Sequence, residues 1–180
     1  MRTNAKLADL NIEWLRQALL LVEQVEDTNF TTSPAGMAPH KVGGHLRHVL
    51  EFYECFLDGL ERGTVDYDAR RRCESLERRR SLAKAAIVSI ISRLELVRHR
   101  PMDADLSVHM EDAEAGVLLA SSVGRELQAL SSHTIHHFAL IAMVLRLHGV
   151  ATEPNFGVAP STLRHQAALQ QRVSRNPEEA

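Results

Sequence analysis

Four stretches of the chain repeat apolar residues at helical spacing, and polar or Pro/Gly-rich segments separate them. Leu7, Leu10, Trp14, Leu21 and Val25, with Leu15 and Val22 widening the stripe, predict a first helix over 4–27, which Thr3 or Asn4 can cap. TNFTTSPAGMAPHK follows and reads as a loop. Leu46, Val49, Phe52, Phe56 and Leu60 predict a second helix over 42–61 that stops before Gly63. The segment TVDYDARRRCES reads as a polar surface connection. Leu82, Ile87, Ile90, Ile91, Leu94 and Val97 predict a third helix over 75–98, ended by Pro101.

Leu106, Val108 and Met110 then alternate with polar residues, and Gly116 precedes Val117, Leu118 and Leu119, which predicts a short β-hairpin, with a loop as the alternative. The last helix is predicted over 122–148, with Ser121 or Ser122 as cap and Gly149 at the position after its end. No clear period follows Pro154, so residues 166–180 read as a frayed tail and residues 1–165 as a single domain. Four long helices with short connections predict an all-α fold, a four-helix bundle that buries its cofactor sites between facing helices. The last helix is apolar nearly all round: Phe138, Leu140, Ile141, Met143, Val144, Leu145 and Leu147. Such a helix is buried in a core or across an interface between copies, and a homodimer is the expectation.

Composition changes this picture little. Hydrophobic residues make up 44% and charged residues 24%, but aromatics only 4%, so aliphatic side chains must fill the core. A net charge of −2 gives no footprint for nucleic acid. Arg70–Arg72 and Arg78–Arg80 interleave with Asp66, Asp68, Glu74 and Glu77, which fits surface ion pairs better than a DNA patch. No apolar run is long enough to span a bilayer, and the N-terminus has no uninterrupted apolar segment of the signal-peptide kind. Cys55 and Cys73 fit a reducing compartment, and a cytoplasmic location is the expectation.

Histidine is the outlier. The chain has ten, and five fall in two short segments of the second and fourth predicted helices. His133 and His137 lie at i and i+4, on one face and roughly 6 Å apart along the axis, a spacing at which two imidazoles can hold one ion. His45 and His48 lie at i and i+3 on the face shared with Phe52 and Phe56. A single such pair is a weak signal; two pairs on inward faces of two helices are a stronger one. His136 points about 100° away from His137. Glu126, two turns before His133 on its side, is a candidate base or acceptor for a ligand imidazole, with a capping or surface role as the alternative. His40, His99, His109, His148 and His165 read as surface residues. No Ser-His-Asp set, phosphate loop or dinucleotide fingerprint is visible.

KVGGHLRHVLEF and SHTIHHFALI resemble the two histidine segments of the DinB-like metalloprotein superfamily. YDARRR, SSVGRELQALSSHT and FGVAPSTL are similar to a subgroup of bacterial DinB-like proteins, and the resemblance runs from about residue 10 to residue 165. It implies a divalent metal held by His48, His133 and His137, with His45 as an alternative ligand or a support for His48. Phe138, Ala139 and Leu140 stand where the family carries Arg-Gly-Gln, which marks a divergent branch. Three neutral histidines leave one position open for water or substrate, as catalytic sites do. The resemblance further implies zinc first, with nickel or iron as alternatives, and a small-molecule substrate handled with a low-molecular-weight thiol by a transferase or isomerase. The other expectation is a non-catalytic metal-binding or stress-related dimeric bundle.

Overall fold

The apolar stripes of the long helices meet as their periodicity requires. In the computed structural model, which describes residues 2–109 and 117–175, α1 (Arg2–Gln24) and α3 (Val42–Gly59) each pack against α5 (Arg80–Val97) and α6 (Val123–Leu147). Ile12, Leu15, Leu46, Leu50, Phe56, Ile87, Leu94, Phe138 and Ile141 fill the space between them without exposure to solvent. Ser122 caps α6, its side chain accepting from the Arg125 N–H, and Gly149 follows the helix with φ 77°.

The protein is not an all-α four-helix bundle. Its described residues form seven helices and a three-stranded mixed sheet. The strand β1 (Thr64–Asp66) pairs in parallel with β2 (Asp105–His109), and β2 pairs antiparallel with β3 (Leu119–Ser122). The overlooked strand lies in the segment read as a polar connection. Val65 is its one fully buried residue, flanked by half-buried Thr64 and Asp66, and a single buried position carries no readable period. Gly59, at the end of α3, lets this strand come close: a Cβ there would lie 2.6 Å from the Thr64 carbonyl oxygen. Leu106 and Val108 are buried on β2, while Met110 and Gly116, which supported the hairpin reading, lie outside the described residues.

Three smaller differences follow. The loop after α1 contains a one-turn helix α2 (Asp27–Thr31) around buried Phe30. The third predicted helix is divided: α4 (Glu74–Arg78) is separated from α5 by extended Arg79. After Pro154, where no clear period was read, α7 (Pro160–Arg175) is helical, and residues 161–171 are largely exposed. Residues 176–180 lie outside the described residues.

A buried polar network sets the rotation of α6 against α1 and α3. The Tyr53 hydroxyl donates to Asn11 Oδ1 at 2.7 Å and lies 3.1 Å from Thr134 Oγ1. Asn11 Nδ2 donates to the Leu7 and Leu127 carbonyls, and Trp14 Nε1 donates to Ser131 Oγ at 2.9 Å. Buried polar groups must be paired, so this network admits one register of α6. Thr134 immediately follows His133, and that register therefore fixes where the α6 histidines point. Among the described residues no helix is long and apolar enough to cross a membrane.

Candidate metal centre

The packing of α3 against α6 brings His48, His133 and His137 together. One potential ligand atom from each lies within 4.8 Å of the others, and the three form a group that could hold a metal ion. Ring centroids are 4.9 Å apart for His48 and His133, 4.6 Å for His48 and His137, and 4.5 Å for His133 and His137. All three side chains are half-buried. Phe52, one turn after His48, backs the cluster with its ring centroid 4.8 Å from His48 and 4.2 Å from His133. The amino end of α3 is held close to the chain: a Cβ on Gly43 would lie 2.3 Å from the Glu77 carbonyl oxygen.

Burial keeps the three imidazoles neutral. It pushes His48 down to about 4, helped by the charges of Arg70, Arg47 and His45. His133 falls to about 4 by burial and by His48, His136 and Arg70. His137 falls to about 3 by burial and by its histidine neighbours. The unprotonated ring is the form that ligates a metal. His133 Nδ1 is buried and has no hydrogen-bond partner among the described residues, an unsatisfied polar atom that an ion would satisfy. The donor set, three imidazoles and no carboxylate, suits a first-row divalent ion.

His45 supports the cluster from outside. Its Nδ1 lies 3.1 Å from His137 Nδ1, and its Nε2 lies 3.3 Å from Nδ1 of exposed His40, whose ring stacks on it. Hydrogen bonds of this kind orient ligand imidazoles. His40 was read as a plain surface residue, and this contact was missed. His136 is exposed and meets His137 edge-on. Glu126 is buried but turned elsewhere: its carboxylate accepts from the Tyr67 hydroxyl at 2.8 Å and from Ser121 Oγ. Burial pushes the Cys55 thiol up to about 11, which disfavours a thiolate there.

Two residues of the site came from the segment taken for a connection. Tyr67 stacks on Phe52 with centroids 5.1 Å apart, and the Arg70 guanidinium carbon lies 4.6 Å from the Phe52 ring centroid. A cleft of about 440 Å³ opens over His48 and His137, rimmed by Lys41, Arg47 and Glu77. Glu77 pairs with Lys41 at 2.9 Å and with Arg47 at 3.2 Å. A separate apolar pocket between α1 and the end of α6, beside Leu21, Val25, Leu145 and Phe156, includes none of these histidines.

A second group, Asp66, Asp68 and His109, also gathers three potential ligand atoms, on β1, β2 and the turn after β1. His109 Nδ1 lies 3.4 Å from both carboxylates. Asp66 Oδ1 already accepts from the Asp68 and Ala69 backbone N–H groups.

No family model matches the chain. It is similar to FK506-binding protein 5 of Rhizopus delemar, with 33% identity over 105 residues. That match takes in 56% of this chain and 27% of the relative, so the chain spans about a quarter of that protein's length.

Proposed function

We propose that the protein binds one divalent metal ion through His48, His133 and His137 and uses it to activate a small molecule at the open cleft. The observation that carries this reading is the meeting of three neutral imidazoles, two of which, His48 and His137, line that cleft, while the third, His133, has a buried nitrogen without a hydrogen-bond partner. An ion held by three protein ligands keeps a position for a water or thiol and lowers its pKa. Zinc fits best, with nickel or iron as alternatives, because imidazoles select weakly among these ions.

The residues around the ion have definable tasks. His45 bonds Nδ1 of His137, which leaves Nε2 of that ring outside the bond and fixes its plane. Phe52 packs against His133, and Tyr67 stacks on Phe52 behind it. The sequence resemblance to DinB-like proteins supports a thiol-dependent transferase or isomerase, with a low-molecular-weight thiol as cosubstrate, in the cytoplasm. Met143 and Leu147, 44% and 56% exposed on α6, fit the covered face of a homodimer. The activity in the name of the Rhizopus delemar relative is not carried over, because the match leaves most of that protein uncovered.

Elemental analysis of untagged protein purified without chelators tests the reading. We expect about one equivalent of zinc, nickel or iron per chain, lost in folded His133→Ala and His137→Ala variants. Turnover of thiol and electrophile pairs, absent in the same variants, would add the reaction. Protein that stays metal-free after loading with each ion refutes the proposal.

A further inference from the structure

The site joins a cation to the histidines without a matching acid. Arg70 follows β1 by four residues and folds back, its Nη1 donating to the Tyr67 carbonyl while the guanidinium covers Phe52. Phe52 in turn touches His48 and His133, so one phenyl ring separates the guanidinium from two of the three imidazoles. Its charge is felt there: after burial, Arg70 is the largest influence holding His48 neutral.

Several neighbouring cations are already paired, whereas Arg72 and Arg79 at the surface share with Arg70 the lack of a carboxylate partner among the described residues. Arg71 faces Asp58 at 3.6 Å, Arg78 faces Glu74 at 2.6 Å, Arg80 binds Asp27, and Lys41 and Arg47 share Glu77. Arg70 meets no carboxylate among the described residues, and its hydrogen bond to Tyr67 goes to a neutral oxygen. The buried Glu126 carboxylate accepts from Tyr67 and Ser121 instead. A guanidinium has five N–H donors in a planar fork that matches a carboxylate or phosphate. With a divalent ion on three neutral histidines, the loaded site would carry the ion's positive charge with no carboxylate among its ligands. Such a field favours an anionic guest.

We propose that Arg70 is the anion-recognising residue of this site, selecting small molecules that carry a carboxylate or phosphate oxyanion beside the donor atom that meets the ion. The inference rests on the metal reading above. It adds the substrate class: a molecule with two anchoring groups, one for the ion and one for the guanidinium.

The test uses full-length protein loaded with cobalt(II), whose thiolate charge-transfer absorbance reports thiol binding directly. The probes are 3-mercaptopropionate and 2-mercaptoethylphosphonate, with 3-mercapto-1-propanol as the uncharged control. We expect at least one anionic thiol to bind about tenfold more tightly than the control, the size of a charge-assisted hydrogen bond in affinity. Arg70→Gln should abolish that preference while the control thiol binds within about twofold of wild type. Arg70→Lys, which keeps the charge and loses the fork, should retain part of the preference. Equal affinities of all three thiols in the wild type overturn the proposal and leave the metal site standing. So does a preference that persists in Arg70→Gln. Failure of cobalt to bind the wild type instead removes the metal reading, and the proposal with it. The wild-type comparison is decisive even if a variant does not fold.

Discussion

Among the described residues two groups of three potential ligands occur, and they differ in donor set and in what holds them in place. His48, His133 and His137 project from two long helices whose relative rotation is locked by the network of Asn11, Tyr53 and Thr134. Asp66, Asp68 and His109 sit at the ends of short strands and on a turn. In the first group burial holds the rings neutral, and His133 Nδ1 lacks a partner. In the second, two backbone N–H groups hold the Asp66 carboxylate and lower its pKa against the opposing effect of burial, while His109 Nδ1, 3.4 Å from both carboxylates, is likewise buried without a hydrogen-bond partner. The aspartate group has a structural task, closing the turn after β1. The histidine group brings together three rings that burial keeps neutral, with no carboxylate among them. Proximity of ligand-type residues and one unpartnered buried imidazole nitrogen are common to both; the groups differ in donor set, three neutral rings on two helices against a histidine and two aspartates, one of them tied into a turn.

The sharpest way to break this contrast is to remove one member from each group. Replacing His137 by Ala deletes one of three ligands, and zinc affinity should fall on the order of a thousandfold. Asp66→Asn should leave zinc affinity within about twofold of wild type. Competition with a chromophoric chelator measures both. A comparable loss in the aspartate variant would show that the second group is the ion's real site.

The helical frame was legible in the sequence because α1, α3, α5 and α6 each bury one face, and burial writes a period of 3.6 into the chain. The sheet was not, because β1 has one buried residue and no alternation to read. The break at Arg79 was equally silent, since arginine suits a helix interior. α7 buries no stripe and so left no period. The histidines were visible for the same reason as the frame: His133 and His137 share a face by helical geometry alone. Tyr67 and Arg70 were hidden because the strand that carries them to Phe52 was hidden. Glu126 shows the limit of spacing arguments. It is buried on α6 as its position suggests, but Tyr67 and Ser121 turn its carboxylate away from the imidazoles.

The locked frame behind the histidines can be tested next. Tyr53→Phe removes the hydroxyl that joins Asn11 on α1 to Thr134 on α6 and leaves Asn11 Oδ1 unpaired in the core. The cost should be about 1–3 kcal/mol of folding stability. Urea unfolding should show a lower midpoint with an unchanged slope. A change below the error of the measurement would mean that helix packing alone sets the register of α6.

The smallest expected effect separates the two groups by pH in metal-free protein. An unfolded histidine titrates near 6.5, whereas folded His48 and His133 titrate at about 4 and His137 at about 3. Between these values the unfolded chain binds more protons than the folded one, so stability is fully present above pH 6.5 and declines as pH falls towards the folded values. Asp66 is held below its ordinary 3.8, so its contribution is intact above pH 3.8 and is lost only at lower pH. Both groups are partly exposed, which screens these contributions and keeps the effect modest. Thermal midpoints recorded across this range should therefore fall in two consecutive windows. His133→Gln should flatten the upper window and leave the lower one in place, and Asp66→Asn should do the reverse. If His133→Gln leaves the decline below pH 6.5 unchanged, the histidines are not buried neutral in the folded protein, and the centre would lose the property that makes its rings ready ligands.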